Sequence, residues 1–148
     1  MLMDTKELLR IAHAAKAKAH APYSNFFVGT ALLASSGNVY DGCNIENSSY
    51  GATICAERVA MVKAVSCGER EFEAIAIVAS SKEFTYPCGL CRQFMSEFGI
   101  NLKIIVEEGT EIREQRLREL LPYAFVLFEK GDEKSPVVQR NNFSCIQQ

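Results

Sequence analysis

A chain of 148 residues, 48% hydrophobic and 23% charged, has the composition of one ordinary globular domain, which excludes a disordered or collagen-like chain. Its formal net charge of −2, from 16 basic and 18 acidic residues, supplies no broad basic surface, so no nucleic-acid partner is expected. No stretch approaches the roughly 18 apolar residues of a membrane span. Asp4, Lys6, Glu7 and Arg10 break up the start, so neither a secretory leader nor a membrane partner is expected, and the expected location is cytoplasmic. In that setting the six cysteines, at 43, 55, 67, 88, 91 and 145, read as metal or catalytic chemistry rather than a disulfide framework.

In residues 4–20, Leu8, Leu9, Ile11, Ala12, Ala15 and Ala19 recur at helical spacing, with Asp4 as N-cap and Pro22 as the stop. Residues 26–35 form a nearly continuous apolar run, and Gly37-Asn38 turns it into a second run at 39–44, which predicts a β-hairpin. Residues 53–67 carry Ile54, Ala56, Val59, Ala60, Val62 and Val65 in a small-residue helical pattern that Gly68 ends. The apolar hexapeptide 74–79 fits a strand buried on both faces. Pro87 precedes a helix over 88–98, stopped by Gly99. The remainder predicts a strand at 102–106, a helix at 112–120 ending before Pro122, and a last strand at 124–128. This alternation predicts an α/β domain over residues 1–128 with helices on a central mixed sheet of about five strands, followed by a polar tail at 129–148.

The chemistry concentrates where two expected helices begin. Cys55-Ala56-Glu57 opens one, and Pro87-Cys88-Gly89-Leu90-Cys91 opens the other. A helix start offers unpaired N–H groups and partial positive charge, which favour the thiolate that zinc requires. Cys88 and Cys91 share a face at i, i+3, and Cys55 makes a third ligand. Three protein ligands leave the fourth tetrahedral position to water, the mark of a catalytic zinc site; a structural site needs a fourth ligand, for which Cys43, Cys67 and Cys145 remain alternatives. Glu57 is a poor residue to bury unless its charge is used, and a proton shuttle beside the metal is that use. Arg58 is expected to donate hydrogen bonds to the thiolates, drawing off charge and restoring Lewis acidity to the metal.

A Cys₃ set with a glutamate that is not a ligand is a known signature of zinc deaminases. Together with Pro22-Tyr23-Ser24-Asn25-Phe26, Val28-Gly29, Gly42-Cys43-Asn44-Ile45-Glu46-Asn47, Cys55-Ala56-Glu57-Arg58, Pro87-Cys88-Gly89-Leu90-Cys91-Arg92-Gln93 and Leu120-Leu121-Pro122-Tyr123-Ala124-Phe125, it makes the chain resemble the small zinc-dependent cytidine deaminases over residues 5–128. The resemblance implies a three-layer α-β-α fold around a mixed five-stranded sheet, a Zn2+ cofactor, and hydrolytic deamination of cytidine and deoxycytidine in pyrimidine salvage. It implies that Asn44 and Glu46 hydrogen-bond the ribose, that Phe26 lies against the pyrimidine, and that Ala56 contacts the substrate. Ser48, through its backbone, and Tyr50 approach the 5′-hydroxyl of a neighbouring subunit's nucleoside, and Phe125 lies beside a neighbour's site, so the implied assembly is a homotetramer.

Thr30 and Ser48 stand where the family often has alanine, and Leu90 where a small residue is usual; none changes the ligand spacing. His13 and His20 match no motif position and are expected on the first helix, as surface or packed residues. A deaminase of an unusual nucleoside, of the blasticidin type, is the nearest alternative, and a zinc-stabilised binding module without catalysis is the alternative from another class.

Overall fold

The protein is described by a computed structural model for residues 3–127. The expected tail at 129–148 lies outside the described residues. In chain order the elements are α1 (Thr5–Lys16), β1 (Val28–Ala34), β2 (Val39–Cys43), a 3₁₀ turn (Tyr50–Ala52), α2 (Ala56–Ser66), β3 (Phe72–Ala79), α3 (Gly89–Ser96), β4 (Lys103–Glu108), β5 (Glu111–Arg116) and α4 (Leu117–Leu120). The strands form one sheet in the order β2-β1-β3-β4-β5. Only β3 and β4 run parallel; every other neighbouring pair is antiparallel.

Strand periodicity sorts the apolar residues into two cores. Leu32, Ile75, Ile77, Ile104 and Val106 pack with Ala60, Met61 and Ala64 of α2 and with Cys91 and Met95 of α3. Their neighbours Ala31, Leu33, Ala74, Ala76, Val78 and Ile105 face the other way, onto Leu8, Leu9 and Ala12 of α1. The result is the expected three layers, α1 on one face of the sheet and α2 with α3 on the other.

Two glycines set how closely the helices approach. A Cβ on Gly29 would lie 2.1 Å from the Ala12 carbonyl oxygen of α1, and one on Gly42 would lie 2.4 Å from the Ala56 oxygen and 2.6 Å from the Ala60 nitrogen of α2. Each glycine therefore admits a helix backbone against the sheet.

Three expectations need correction. The helix expected at 112–120 is mostly β5, with only the single turn α4 at its end. Gly109, at φ +59°, opens a two-residue turn that pairs Glu108 with Glu111 and folds the chain back onto β4; glycine in the first position of such a turn is a hairpin signal. Ile112 lies on this exposed edge strand and the buried Leu117 on the turn that follows it. The strand expected at 124–128 is absent at 124–127, and residue 128 is not described, so the fifth strand is β5. Finally, α1 ends at Lys16, before Pro22, and Asp4 occupies the N-cap position without a side-chain capping bond. His20 therefore lies beyond the helix, bridged to Ile45, whereas His13 stays on α1 and pairs with Glu107 of β4. Among the described residues no helix is long and apolar enough to cross a membrane.

Candidate active site

The parallel crossover from β3 to β4 carries α3 on the same face as α2, and the starts of these two helices meet. Cys55 is the N-cap of α2, at φ −67° and ψ 152°, and Cys88 is the N-cap of α3, at φ −66° and ψ 167°. Neither side chain makes a capping bond, which leaves both sulfurs available. Cys91, on the first turn of α3, is fully buried. The three Sγ atoms lie within 4.8 Å of one another, and those of Cys55 and Cys88 are 3.8 Å apart. Tetrahedral zinc with Zn–S bonds of about 2.3 Å sets its ligand sulfurs about 3.8 Å apart, so the cluster fits that ion. No other His, Cys, Asp or Glu among the described residues joins the group, and Cys43 and Cys67 are not in it. A three-ligand site keeps an open position.

In the metal-free trio, Cys55 is pulled down to about 5, chiefly by a hydrogen bond from Cys91, with Arg58 and Cys88 adding to the effect. Cys91 is pushed up by the same bond, by burial and by the charge of Glu57. A zinc ion held by these three sulfurs would require all of them ionised. Arg58 reaches back along the first turn of α2, with Nη2 3.7 Å from Cys55 Sγ and 3.5 Å from the Thr53 carbonyl oxygen. Its buried Nε has no partner among the described residues.

Glu57 follows on the same turn. It is 4% exposed, and its carboxyl is pushed up to about 7, mainly by burial, with the Cys55 charge adding. A carboxyl near neutrality can both accept and return a proton in one cycle.

The residues expected to hold a nucleoside are attached to this cluster through β2. Ile45 and Ile54 exchange two backbone hydrogen bonds, of 2.9 and 3.0 Å, tying the Asn44-to-Glu46 segment to the residue before Cys55. Buried Asn44 donates from Nδ2 to the Phe26 carbonyl at 2.7 Å and accepts the Val28 N–H at 2.8 Å, so it joins the end of β2 to the start of β1. Glu46 accepts the Ser24 hydroxyl at 2.6 Å and the N–H groups of Tyr23 and Ser24 at 3.0 and 3.1 Å. These bonds, the Ser24 hydroxyl foremost, hold its carboxyl below the ordinary value. The Ser24 oxygen also accepts the Phe26 N–H at 3.0 Å. Asn25 takes a left-handed φ of 57° in this turn, which asparagine tolerates better than most side chains.

Ala56, at the start of α2 between Cys55 and Glu57, is fully buried. The Thr30 hydroxyl donates to the Ala56 carbonyl at 3.0 Å from the sheet side. Ser48 and Tyr50 gather around Tyr23: the Ser48 and Tyr23 hydroxyls are 2.6 Å apart, and the Tyr23 and Tyr50 rings meet edge to face at 5.5 Å. Tyr50 is 74% and Phe125 71% exposed, and the Gln93 side-chain amide donates to the Phe125 carbonyl. A groove lies elsewhere, beside the start of α1 and Phe98, and shares only Phe125 with this set. Sequence reasoning gave Ser24 and Thr30 no role. Ser24 stood inside a motif block, which was the available signal, and Thr30 was visible only as a departure from alanine.

A family model for the cytidine and deoxycytidylate deaminase zinc-binding region matches residues 3–107. The chain is 46% identical over 125 residues to a cytidine deaminase of Sporosarcina psychrophila, covering 83% of this chain and 92% of that protein. It is 46% identical over 132 residues to one of Halalkalibacterium halodurans, covering 88% and 100%. The crystal structure of cytidine deaminase from Burkholderia pseudomallei superposes with a TM-score of 0.80 at 44% identity, covering 83% of this chain and 100% of that one. That from Mycobacterium tuberculosis gives 0.76 at 41%, covering 85% and 100%. With the zinc-fitting Cys55, Cys88 and Cys91 set at its helix starts, the chain belongs to the cytidine and deoxycytidylate deaminase zinc-binding family.

Proposed function

We propose that this chain hydrolyses free cytidine and deoxycytidine to uridine and deoxyuridine plus ammonia, serving pyrimidine salvage as a cytoplasmic homotetramer. The observation that carries the reading is the buried carboxyl of Glu57, pushed up to about 7, beside a three-sulfur site with no fourth protein ligand among the described residues. Bound zinc supplies the Lewis acidity that makes a water nucleophilic near neutral pH. Cys55, Cys88 and Cys91 hold the ion. Glu57 takes one proton from the attacking water and passes it to N3 of the cytosine ring, then takes the second from the hydroxyl now on C4 and delivers it to the leaving amino group as the C4–N bond breaks, so water and cytidine leave as uridine and ammonia. Arg58, beside the Cys55 sulfur, offsets the thiolate charge.

Glu46, ionised and fixed by Ser24, and Asn44 recognise the ribose; Phe26 covers the pyrimidine and the Ala56 backbone faces it. Ser48, Tyr50 and Phe125 serve a neighbouring subunit's site. The exposed aromatic rings of Tyr50, Tyr123 and Phe125 support an assembly that covers them. The test is a substrate panel followed by ultraviolet absorbance. Turnover of cytidine and deoxycytidine is expected; turnover of blasticidin with cytidine ignored would overturn the substrate assignment.

A further inference from the structure

Arg92, which directly follows the last metal ligand Cys91, makes three bonds that none of the roles above uses. Its backbone N–H bonds the Cys88 carbonyl at 3.0 Å, as α3 geometry requires. Its Nε donates to the Pro87 carbonyl at 2.7 Å, and its Nη1 donates to the Leu120 carbonyl at 2.8 Å. Two successive carbonyls of the ligand loop, Pro87 and Cys88, are thus held by one residue. The far edge of the same guanidinium grips the end of α4, where a carbonyl has lost its helical partner. One residue on, Gln93 Nε2 donates to the Phe125 carbonyl at 3.1 Å. The planar guanidinium fork fixes the direction of both side-chain bonds, which a lysine ammonium does not do.

Pro87 is buried, while Cys88 and the next two residues, Gly89 and Leu90, are exposed. Cys88 is also the one ligand whose sulfur has neither burial nor an arginine contact among the described residues to orient it. We infer that Arg92 is a positioning residue for the metal: it sets the Cys88 ligand by fastening the Pro87 carbonyl to the 120–125 segment, so that metal retention and the order of that segment depend on each other. The inference rests on the zinc site described above and deepens it.

Zinc release from the loaded protein into excess chromophoric chelator tests this, with Arg92→Gln, Arg92→Lys and a matched control. The control is Arg70→Gln, since Arg70 likewise bonds two backbone carbonyls, those of Val65 and Glu69, far from the thiols. Partners that orient metal ligands typically contribute 10- to 100-fold in affinity. Arg92→Gln is expected to release zinc roughly 10- to 100-fold faster than wild type, Arg92→Lys to fall between, and Arg70→Gln to match wild type even where its melting temperature falls. Release from Arg92→Gln no faster than from Arg70→Gln would overturn the inference. A wild type that binds no zinc would instead overturn the metal site itself. Should Arg92→Gln fail to fold, hydrogen exchange of the wild type decides: zinc removal is expected to raise exchange at both 88–92 and 120–125, and a rise confined to 88–92 would refute the coupling.

Discussion

Replacing Glu57 with glutamine is expected to stabilise the metal-free protein at alkaline pH while removing its catalysis. Burial raises the carboxyl from an ordinary 4.5 to about 7, so the folded state binds this proton more tightly than the unfolded chain does. Stability from the protonated acid is complete below pH 4.5, declines as pH rises toward 7, and is lost above it. At about 1.4 kcal/mol per pH unit, the interval corresponds to a cost of about 3 kcal/mol for the buried carboxylate at pH 8. Glutamine keeps the shape and carries no charge. Denaturant unfolding of metal-free wild type and Glu57→Gln, in reducing buffer at pH 4, 6 and 8, measures the difference. It is expected to be near zero at pH 4 and to favour the variant by about 3 kcal/mol at pH 8. A difference independent of pH, or a wild type more stable at pH 8, would refute the reasoning.

Other substitutions separate the parts of the site. Gly42→Ala places a Cβ 2.4 Å from the Ala56 oxygen, which forces α2 outward with Cys55 and Glu57 on it; melting and zinc stoichiometry should both fall, stability by about 1–3 kcal/mol. Ser24→Ala removes the 2.6 Å bond to Glu46 and the acceptor for the Phe26 N–H. KM for cytidine should rise roughly tenfold with kcat and zinc content retained, as loss of a hydrogen bond to a charged group implies; a fall in kcat alone would contradict the ribose assignment. Thr30→Val keeps the volume but loses the bond to the Ala56 carbonyl, and denaturant unfolding should show a loss of about 1 kcal/mol.

The ligand set was legible because its geometry is local. Cys88 and Cys91 share a helical turn, and N-cap positions follow from the residues that open a helix. The buried hexapeptide at the centre of β3 and the small-residue face of α2 were legible for the same reason: burial on both faces leaves an apolar run or a small-residue stripe. β5 was not, because an exposed edge strand has no apolar face to declare its period, and EIREQR carries a single apolar residue, Ile112. Gly109 held the missing signal, in the turn rather than the strand. The bonds of Ser24 to Glu46 and of Arg92 to Leu120 span 22 and 28 residues, and the fold alone brings such pairs together.

Whether the buried carboxyl of Glu57 moves protons beside a three-cysteine zinc site is decided by Glu57→Ala. Zinc per chain and ammonia release from cytidine are to be measured on the same samples of this variant and of wild type. The expected result is unchanged zinc with activity reduced roughly 100- to 10,000-fold, the usual contribution of one positioned acid–base group. Zinc-loaded Glu57→Ala that still deaminates cytidine at a rate near wild type would contradict the account.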